Sequence, residues 1–320
     1  MFAQPWAQFA NRLGAPRRRP FRPINRNAIT MTLQTSFAPL RCPPSVEDIG
    51  VHVEGRGTPI VLLHSSMSSR KQWRELTLRL RDSYRLIAVD LYGYGDTPPP
   101  QPGHFTIDDE VRLVGSVLAS ALRPHERFHL VGHSYGGVVA LQLAQGLRHR
   151  LRSLALYEPI PFHLLPADAP VVSELHAVQR EVEASLRKDD AGAGVASFVD
   201  YWSGRGAFAR MPGDRRATLC KLLPKMALEL RAVAAETTSA QSYRRITAPV
   251  CLMGGRDSPR AAHMSLAILA QLFPRARRSL VTAGHLAPAT HPALVNPLIE
   301  RFIRTVDDRL PSWNLDTWKP

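Results

Sequence analysis

The 320-residue sequence contains only three cysteines, which are widely spaced at Cys42, Cys220 and Cys251. So few cysteines, in an odd number, argue against a disulfide framework and against a cysteine-rich zinc site. No apolar run reaches the length of about 18 residues that a membrane-spanning helix needs. A Walker sequence, a complete dinucleotide fingerprint and metal-ligand spacings are also missing. We therefore expect no membrane span, no metal and no other cofactor.

Acidic residues are missing from positions 1–46, which instead hold seven arginines. These arginines supply half of the formal net charge of +14. The rest of the sequence contains no nucleic-acid-binding motif. We therefore expect no nucleic-acid partner and interpret 1–46 as a basic, disordered tail. An organelle-targeting segment and a true start at Met31 are the alternatives. The expected location is cytoplasmic.

Short apolar runs alternate with helix-forming segments from residue 59 to residue 156, a pattern typical of a parallel sheet with helices on both faces. The alternation stops between Pro159 and Arg245. There, two helical stretches near 170–190 and 214–239 flank a glycine-containing segment at 191–213. This region is predicted to be a helical insertion into the sheet domain.

The pentapeptide Gly132-His133-Ser134-Tyr135-Gly136 lies between a predicted buried strand and a predicted helix. In that context Gly-x-Ser-x-Gly is typical of a sharp strand-to-helix turn that exposes a nucleophilic serine. Small residues two before and two after the serine let the strand and the helix approach closely. We predict Ser134 as a nucleophile.

A serine hydroxyl reacts readily only when a base takes its proton and a third group orients that base. Two suitable residues follow predicted strands downstream: Asp257 after the strand at 248–253, and His285 after the strand at 278–282. The carboxyl ends of parallel strands meet at one edge of a sheet, so both side chains are expected near Ser134. We predict His285 as the base and Asp257 as the acid.

Glu158 is the alternative acid, because it directly follows the predicted strand at 151–157. The acid has to hold the imidazole in one tautomer and stabilise its charged form. A mild effect of removing the Asp257 carboxylate would therefore assign that role to Glu158.

Two further motifs occur upstream: a histidine-first loop from His64, and an Asp-x-x-Gly-Tyr-Gly run from Asp90 to Gly95. With the three motifs above, their order resembles that of the α/β-hydrolase superfamily over roughly residues 48–305. The resemblance implies a mostly parallel central sheet with helices on both faces and a helical cap. Motifs of this kind are specific for the fold and much less so for the substrate.

The resemblance also implies a domain organisation. The core α/β domain is expected in two parts, 47–159 and 246–305, with the helical cap at 160–245 between them. The segments 1–46 and 306–320 are expected to be tails.

Members of the superfamily usually carry His-Gly in the oxyanion loop, where this chain has His64-Ser65. The resemblance implies that the backbone N–H groups of Ser66 and Tyr135 form the oxyanion hole, and we expect a serine hydroxyl to assist them. The candidate substrate pocket consists of Ser65, Met67, Phe162, Trp202 and Leu286.

The implied activity is that of a serine hydrolase, which cleaves an ester-like small molecule through an acyl-enzyme on Ser134. A C–C bond hydrolase, a lactonase and an acyltransferase could use the same three catalytic residues. A non-catalytic receptor for a small ligand is the alternative from a different class. The sequence leaves the oligomeric state open.

Overall fold

Seven strands form one sheet in the computed structural model, which describes residues 44–101 and 103–309. The spatial order is β1-β3-β2-β4-β5-β6-β7; β1 runs antiparallel to β3, and the other neighbouring strands are parallel. The predicted mostly parallel sheet is therefore confirmed. The strands are β1 (Val51–Gly55), β2 (Thr58–Leu63), β3 (Tyr84–Val89), β4 (Phe128–His133), β5 (Leu151–Tyr157), β6 (Val250–Gly255) and β7 (Arg277–Val281).

Helices alternate with the strands in the core and follow one another in the insertion between β5 and β6. The core helices are α1 (Arg74–Leu80), α2 (Ile107–Ala121), α3 (Ser134–Gly146), α9 (Arg260–Leu272), α10 (Ala287–Thr290) and α11 (Pro292–Arg309). The insertion helices are α4 (Pro170–Arg187), α5 (Ala191–Ser203), α6 (Gly213–Cys220), α7 (Leu223–Ala234) and α8 (Ala240–Tyr243). Short 3-10 turns occupy Val46–Asp48, Arg70–Trp73 and Phe162–Leu164.

Helices cover both faces of the sheet. On one face, Leu76 of α1 and Ile299 of α11 share an apolar core with alternate strand residues such as Leu62. Helix α3 lies against the opposite face, where a Cβ atom on Gly132 of β4 would be only 2.8 Å from the Cα atom of Gly137. Residues that alternate along a strand point to opposite faces, so both faces of the central strands are buried.

Helix α5 lies in the glycine-containing segment at 191–213, which was predicted to separate two helices. The Asp190 side chain caps this helix by accepting a hydrogen bond of 3.0 Å from the Ala193 N–H. A Cβ atom on Gly194 would be 2.8 Å from the Leu223 side chain, so the glycine allows close helix packing. Gly194 therefore marks a helix contact and not a chain break, whereas Gly204 and Gly206, both with positive φ, follow the end of α5.

The insertion has an apolar core of its own. Its buried members come from α4, α5, α6 and α7 and from the loop after α5; they are Val178, Val182, Val195, Val199, Phe208, Leu219, Leu223, Met226 and Ala227. Helix α11 continues to Arg309, so residues 306–309 are helical where a tail was expected. Residues 1–43 and 310–320 of the expected tails lie outside the described residues. None of the described helices is both long and apolar enough to cross a bilayer.

A buried ion cluster joins the insertion to the core. The Lys225 ammonium of α7 lies 2.8 Å from Glu229 and 3.1 Å from Glu110 of the core helix α2. Burial raises the pKa of Glu110, and the nearby ammonium opposes that rise. Three aromatic rings also surround the ammonium at 4.7 to 4.9 Å, those of Tyr94, Phe105 and Tyr135.

Replacing Lys225 with methionine should therefore destabilise the protein. The substitution keeps an unbranched side chain, one heavy atom shorter, but leaves two buried carboxylates without their cation, which costs about 3 to 5 kcal/mol. The matched control is Lys221→Met, one turn earlier and exposed, which should change the free energy of unfolding by less than about 0.5 kcal/mol. Urea unfolding measures the free energy of unfolding of both variants. Equal losses of this free energy in the two variants would contradict the stabilising role of the ion cluster.

Candidate active site

Ser134 lies at the junction of β4 and α3 with a backbone φ of 54°. Few residues other than glycine adopt this left-handed region, so the turn is strained. Gly136 makes the turn possible, because a Cβ atom there would lie 2.3 Å from the His64 carbonyl oxygen and 2.7 Å from that of Leu63. The strain and the close approach present the Ser134 hydroxyl at the carboxyl edge of the sheet.

His285 brings its imidazole to that hydroxyl from the loop after β7. Its Nε2 atom lies 2.9 Å from Ser134 Oγ, and the residue is only 3% exposed. The loop is fixed by His133 Nε2, which contacts the His285 carbonyl oxygen at 2.8 Å, and by the Tyr157 hydroxyl, which donates to the Gly284 carbonyl oxygen at 3.0 Å. Burial holds the pKa of His133 well below its usual value, so this neighbour is neutral.

Glu158 occupies the other side of the imidazole. Its Oε2 atom lies 2.7 Å from His285 Nδ1, and its Oε1 atom accepts a hydrogen bond of 2.6 Å from the Gly255 N–H. Glu158 is fully buried and has a φ of 41°, so the chain turns sharply as it leaves β5. A Cβ atom on Gly254 would lie 2.9 Å from the carboxylate, so the glycine leaves room for it.

This geometry corrects the expected contact between Asp257 and His285. The Asp257 side chain is exposed, and its backbone N–H donates to the Ala283 carbonyl oxygen at 3.2 Å. His285 Nδ1 faces Glu158 instead. The signal that could have favoured Glu158 is its place directly after β5, the strand adjacent to β4 in the sheet.

The loop from His64 lies beside the serine. Ser66 and Tyr135 both line one cavity. The Tyr135 N–H lies in the first turn of α3, where backbone N–H groups have no carbonyl partner within the helix. His64 Nδ1 contacts the Ser65 carbonyl oxygen at 2.7 Å, and Nε2 accepts from the Leu91 N–H at 3.0 Å. Burial lowers the pKa of His64 to about 4, so a neutral imidazole braces the loop.

The cavity has a volume of about 290 Å³ and lies between the core and the insertion. Phe162 and Trp202 line it. The other three candidate pocket residues do not line it. The Ser65 hydroxyl donates to Gln72 at 3.0 Å, Met67 packs on the insertion core, and Leu286 is the residue that precedes α10.

Further lining residues come from the loop after β5 and from helices α4, α5 and α7. Most of them are apolar, so the cavity suits an apolar group. They include Ile160, Leu165, Val172, Leu175, Phe198, Met226 and Leu230.

The family follows from a direct sequence match. A sequence profile described as "Alpha/beta hydrolase family" matches residues 60–298, which include every residue of the site described above. The chain belongs to the alpha/beta hydrolase family. This confirms the resemblance that the motifs indicated.

Two curated relatives match only part of this chain and only part of their own length. The probable lysophospholipase BODYGUARD 1 of Arabidopsis thaliana is 33% identical over 150 residues, 45% of this chain and 31% of that protein. The 2-hydroxy-6-oxo-2,4-heptadienoate hydrolase of Pseudomonas putida is 34% identical over 112 residues, 34% of this chain and 40% of that protein. The matches therefore span less than half the length of these relatives.

A solved structure shows the same hydrolase fold over most of the chain. The thermophilic esterase from Thermogutta terrifontis superposes with a TM-score of 0.64 and 22% identity, covering 81% of this chain and 93% of that chain. At this identity the superposition shows the fold, and the substrate has to be argued from the site.

Replacing Gly136 with alanine should disrupt the turn that carries Ser134. The new methyl group would meet the backbone oxygens of His64 and Leu63, which costs at least about 1 to 3 kcal/mol. The matched control is Gly146→Ala at the end of the same helix, where a Cβ atom meets nothing within 4 Å. That change should be neutral or stabilising by up to about 1 kcal/mol. Thermal unfolding measures the stability of both variants. Equal effects would contradict the close approach of Gly136 to the His64 and Leu63 carbonyl oxygens.

Proposed function

We propose that the protein is a serine hydrolase that cleaves an ester-like substrate through an acyl-enzyme on Ser134. The chain of contacts from Ser134 through His285 to Glu158 carries the proposal. A hydroxyl, an imidazole and a carboxylate joined in this order are the parts that nucleophilic acyl transfer requires. The membership in a hydrolase family supports it.

Proton transfer starts the proposed reaction. His285 Nε2, 2.9 Å from Ser134 Oγ, takes the hydroxyl proton as the serine oxygen attacks the substrate carbonyl. The Glu158 carboxylate accepts the Nδ1–H at 2.7 Å, which leaves Nε2 free to act as the base and stabilises the positive ring. The imidazolium then gives its proton to the leaving group.

The tetrahedral oxyanion forms next to the start of α3. In the proposal, the backbone N–H groups of Ser66 and Tyr135 stabilise it, because Tyr135 directly follows the serine and both residues line the cavity. Water activated by His285 then attacks the acyl group on Ser134 and releases the acid.

The substrate group that fits this site best is apolar. The cavity of about 290 Å³ is lined mainly by aliphatic and aromatic side chains of the insertion, which acts in this proposal as a cap over the acyl-binding site. The cavity volume is that of a small-molecule site. The expected partner is therefore a small acyl or ester compound.

C–C bond hydrolysis is the second candidate. The same serine, histidine and glutamate could serve it, and the name of the Pseudomonas putida relative, a 2-hydroxy-6-oxo-2,4-heptadienoate hydrolase, favours it over the lactonase and acyltransferase alternatives. Comparing the turnover of aryl esters with that of vinylogous 1,5-diketones would distinguish the two activities.

Replacing Ser134 with alanine should abolish turnover. Without the nucleophile, kcat for p-nitrophenyl ester hydrolysis should fall by about 10⁴- to 10⁶-fold, and labelling by a fluorophosphonate should disappear. The control is Ser116→Ala, since this hydroxyl donates to the Leu113 carbonyl oxygen within its own helix. Turnover that survives in the Ser134 variant would overturn the proposed function.

The identity of the acid is tested by two amide substitutions. Glu158→Gln should lower kcat by about 10⁴-fold, because the amide no longer stabilises the charged imidazole. Asp257→Asn alters an exposed side chain and should leave kcat close to that of the wild type. Steady-state kinetics on one ester measures both. The opposite order of effects would assign the acid to Asp257.

A further inference from the structure

Trp202 of the insertion helix α5 lies face to face with the imidazole of His285. The two ring centroids are 4.2 Å apart and the ring planes meet at 30°. Trp202 also stacks with Phe162, with centroids 6.2 Å apart and planes at 6°. One aromatic face of the insertion therefore covers the ring that would carry the proton in the proposed reaction.

Among the other groups around His285, the Glu158 carboxylate stabilises the charged ring at its edge and not at its face. Glu158 at Nδ1 is the carboxylate in direct contact, and the His133 ring lies 5.2 Å away and is neutral. The Tyr157 hydroxyl bonds to the preceding residue, and its pKa is raised by burial and by the nearby carboxylates of Glu158 and Asp257. Since His285 is 3% exposed, bulk water cannot solvate its charged form.

We propose that Trp202 is a positioning residue whose indole face stabilises the imidazolium of His285. The inference rests on the proposed function, because the imidazolium forms when His285 takes the proton of Ser134. The face of an indole carries negative electrostatic potential and attracts a cation placed over it. The attraction strengthens when the cation is removed from water, as here.

The contact also ties catalysis to the insertion. Trp202 is 6% exposed and belongs to a helix that packs into the insertion core through Val195 and Val199, seven and three residues earlier on the same helical face. The indole therefore contacts the imidazole only while α5 packs against the sheet domain that carries His285. Stabilisation of the charged ring is then available when the cavity is closed.

The test compares Trp202→Leu, which removes the π face, with Trp202→Phe, which keeps a smaller one. In the leucine variant, kcat/KM on the plateau should fall by about 2- to 30-fold, with the loss in kcat. Losing stabilisation of the protonated ring should also move the acid limb of the pH–rate profile to lower pH, by about 0.5 to 1 unit. The phenylalanine variant should show less than half of each change.

Two outcomes would overturn the inference while leaving the proposed function intact. One is a loss confined to KM with the acid limb unmoved, which would mean that Trp202 only shapes the pocket. The other is an acid limb that moves to lower pH by the same amount in the leucine and the phenylalanine variants. By contrast, failure of the proposed function would show as turnover in the Ser134→Ala variant.

Tryptophan fluorescence tests the same contact without turnover. A charged imidazole in contact with an indole quenches its emission. The difference between the Ser134→Ala protein and the same protein carrying Trp202→Phe isolates the emission of Trp202. This emission should fall as His285 is protonated and should stop responding to pH when His285→Gln is added. Emission that does not change over the acid limb would contradict the inference.

Discussion

The arrangement depends on one buried imidazole held between two oxygens. His285 lies 2.9 Å from the Ser134 hydroxyl and 2.7 Å from the Glu158 carboxylate, and three different strands deliver these groups. A buried ring that gains a proton needs compensation for lost solvation. The carboxylate supplies it at the ring edge and, in our inference, the indole of Trp202 supplies it at the ring face. The parallel sheet serves this arrangement, because it brings the ends of β4, β5 and β7 to one edge.

Much of this site could be predicted from the sequence, because short local patterns indicate two of its residues. The Gly-x-Ser-x-Gly turn and the histidine after a strand depend on short segments, and the structure brings Ser134 and His285 together. The acid could not be decided in this way. Asp257 and Glu158 both follow strands, and the difference arises from a positive φ at Glu158 and from the space left by Gly254. These are properties of the packed structure.

The insertion was the least predictable part for a related reason. Glycines at 192 and 194 suggested a break, yet they lie in α5, where the missing side chain of Gly194 lets α5 approach Leu223. Tertiary packing overrode the local preference. This matters for the site, since α5 carries Trp202 to the imidazole. The buried Lys225 cluster fixes the neighbouring helix α7 to the core and touches the Tyr135 ring, next to the nucleophile.

Proton NMR of the wild-type protein tests the central contact most directly. A strong, solvent-shielded hydrogen bond from His285 Nδ1 to Glu158 should give a far-downfield resonance that persists in Asp257→Asn and disappears in Glu158→Gln. A resonance that survives in Glu158→Gln and vanishes in Asp257→Asn would contradict the account.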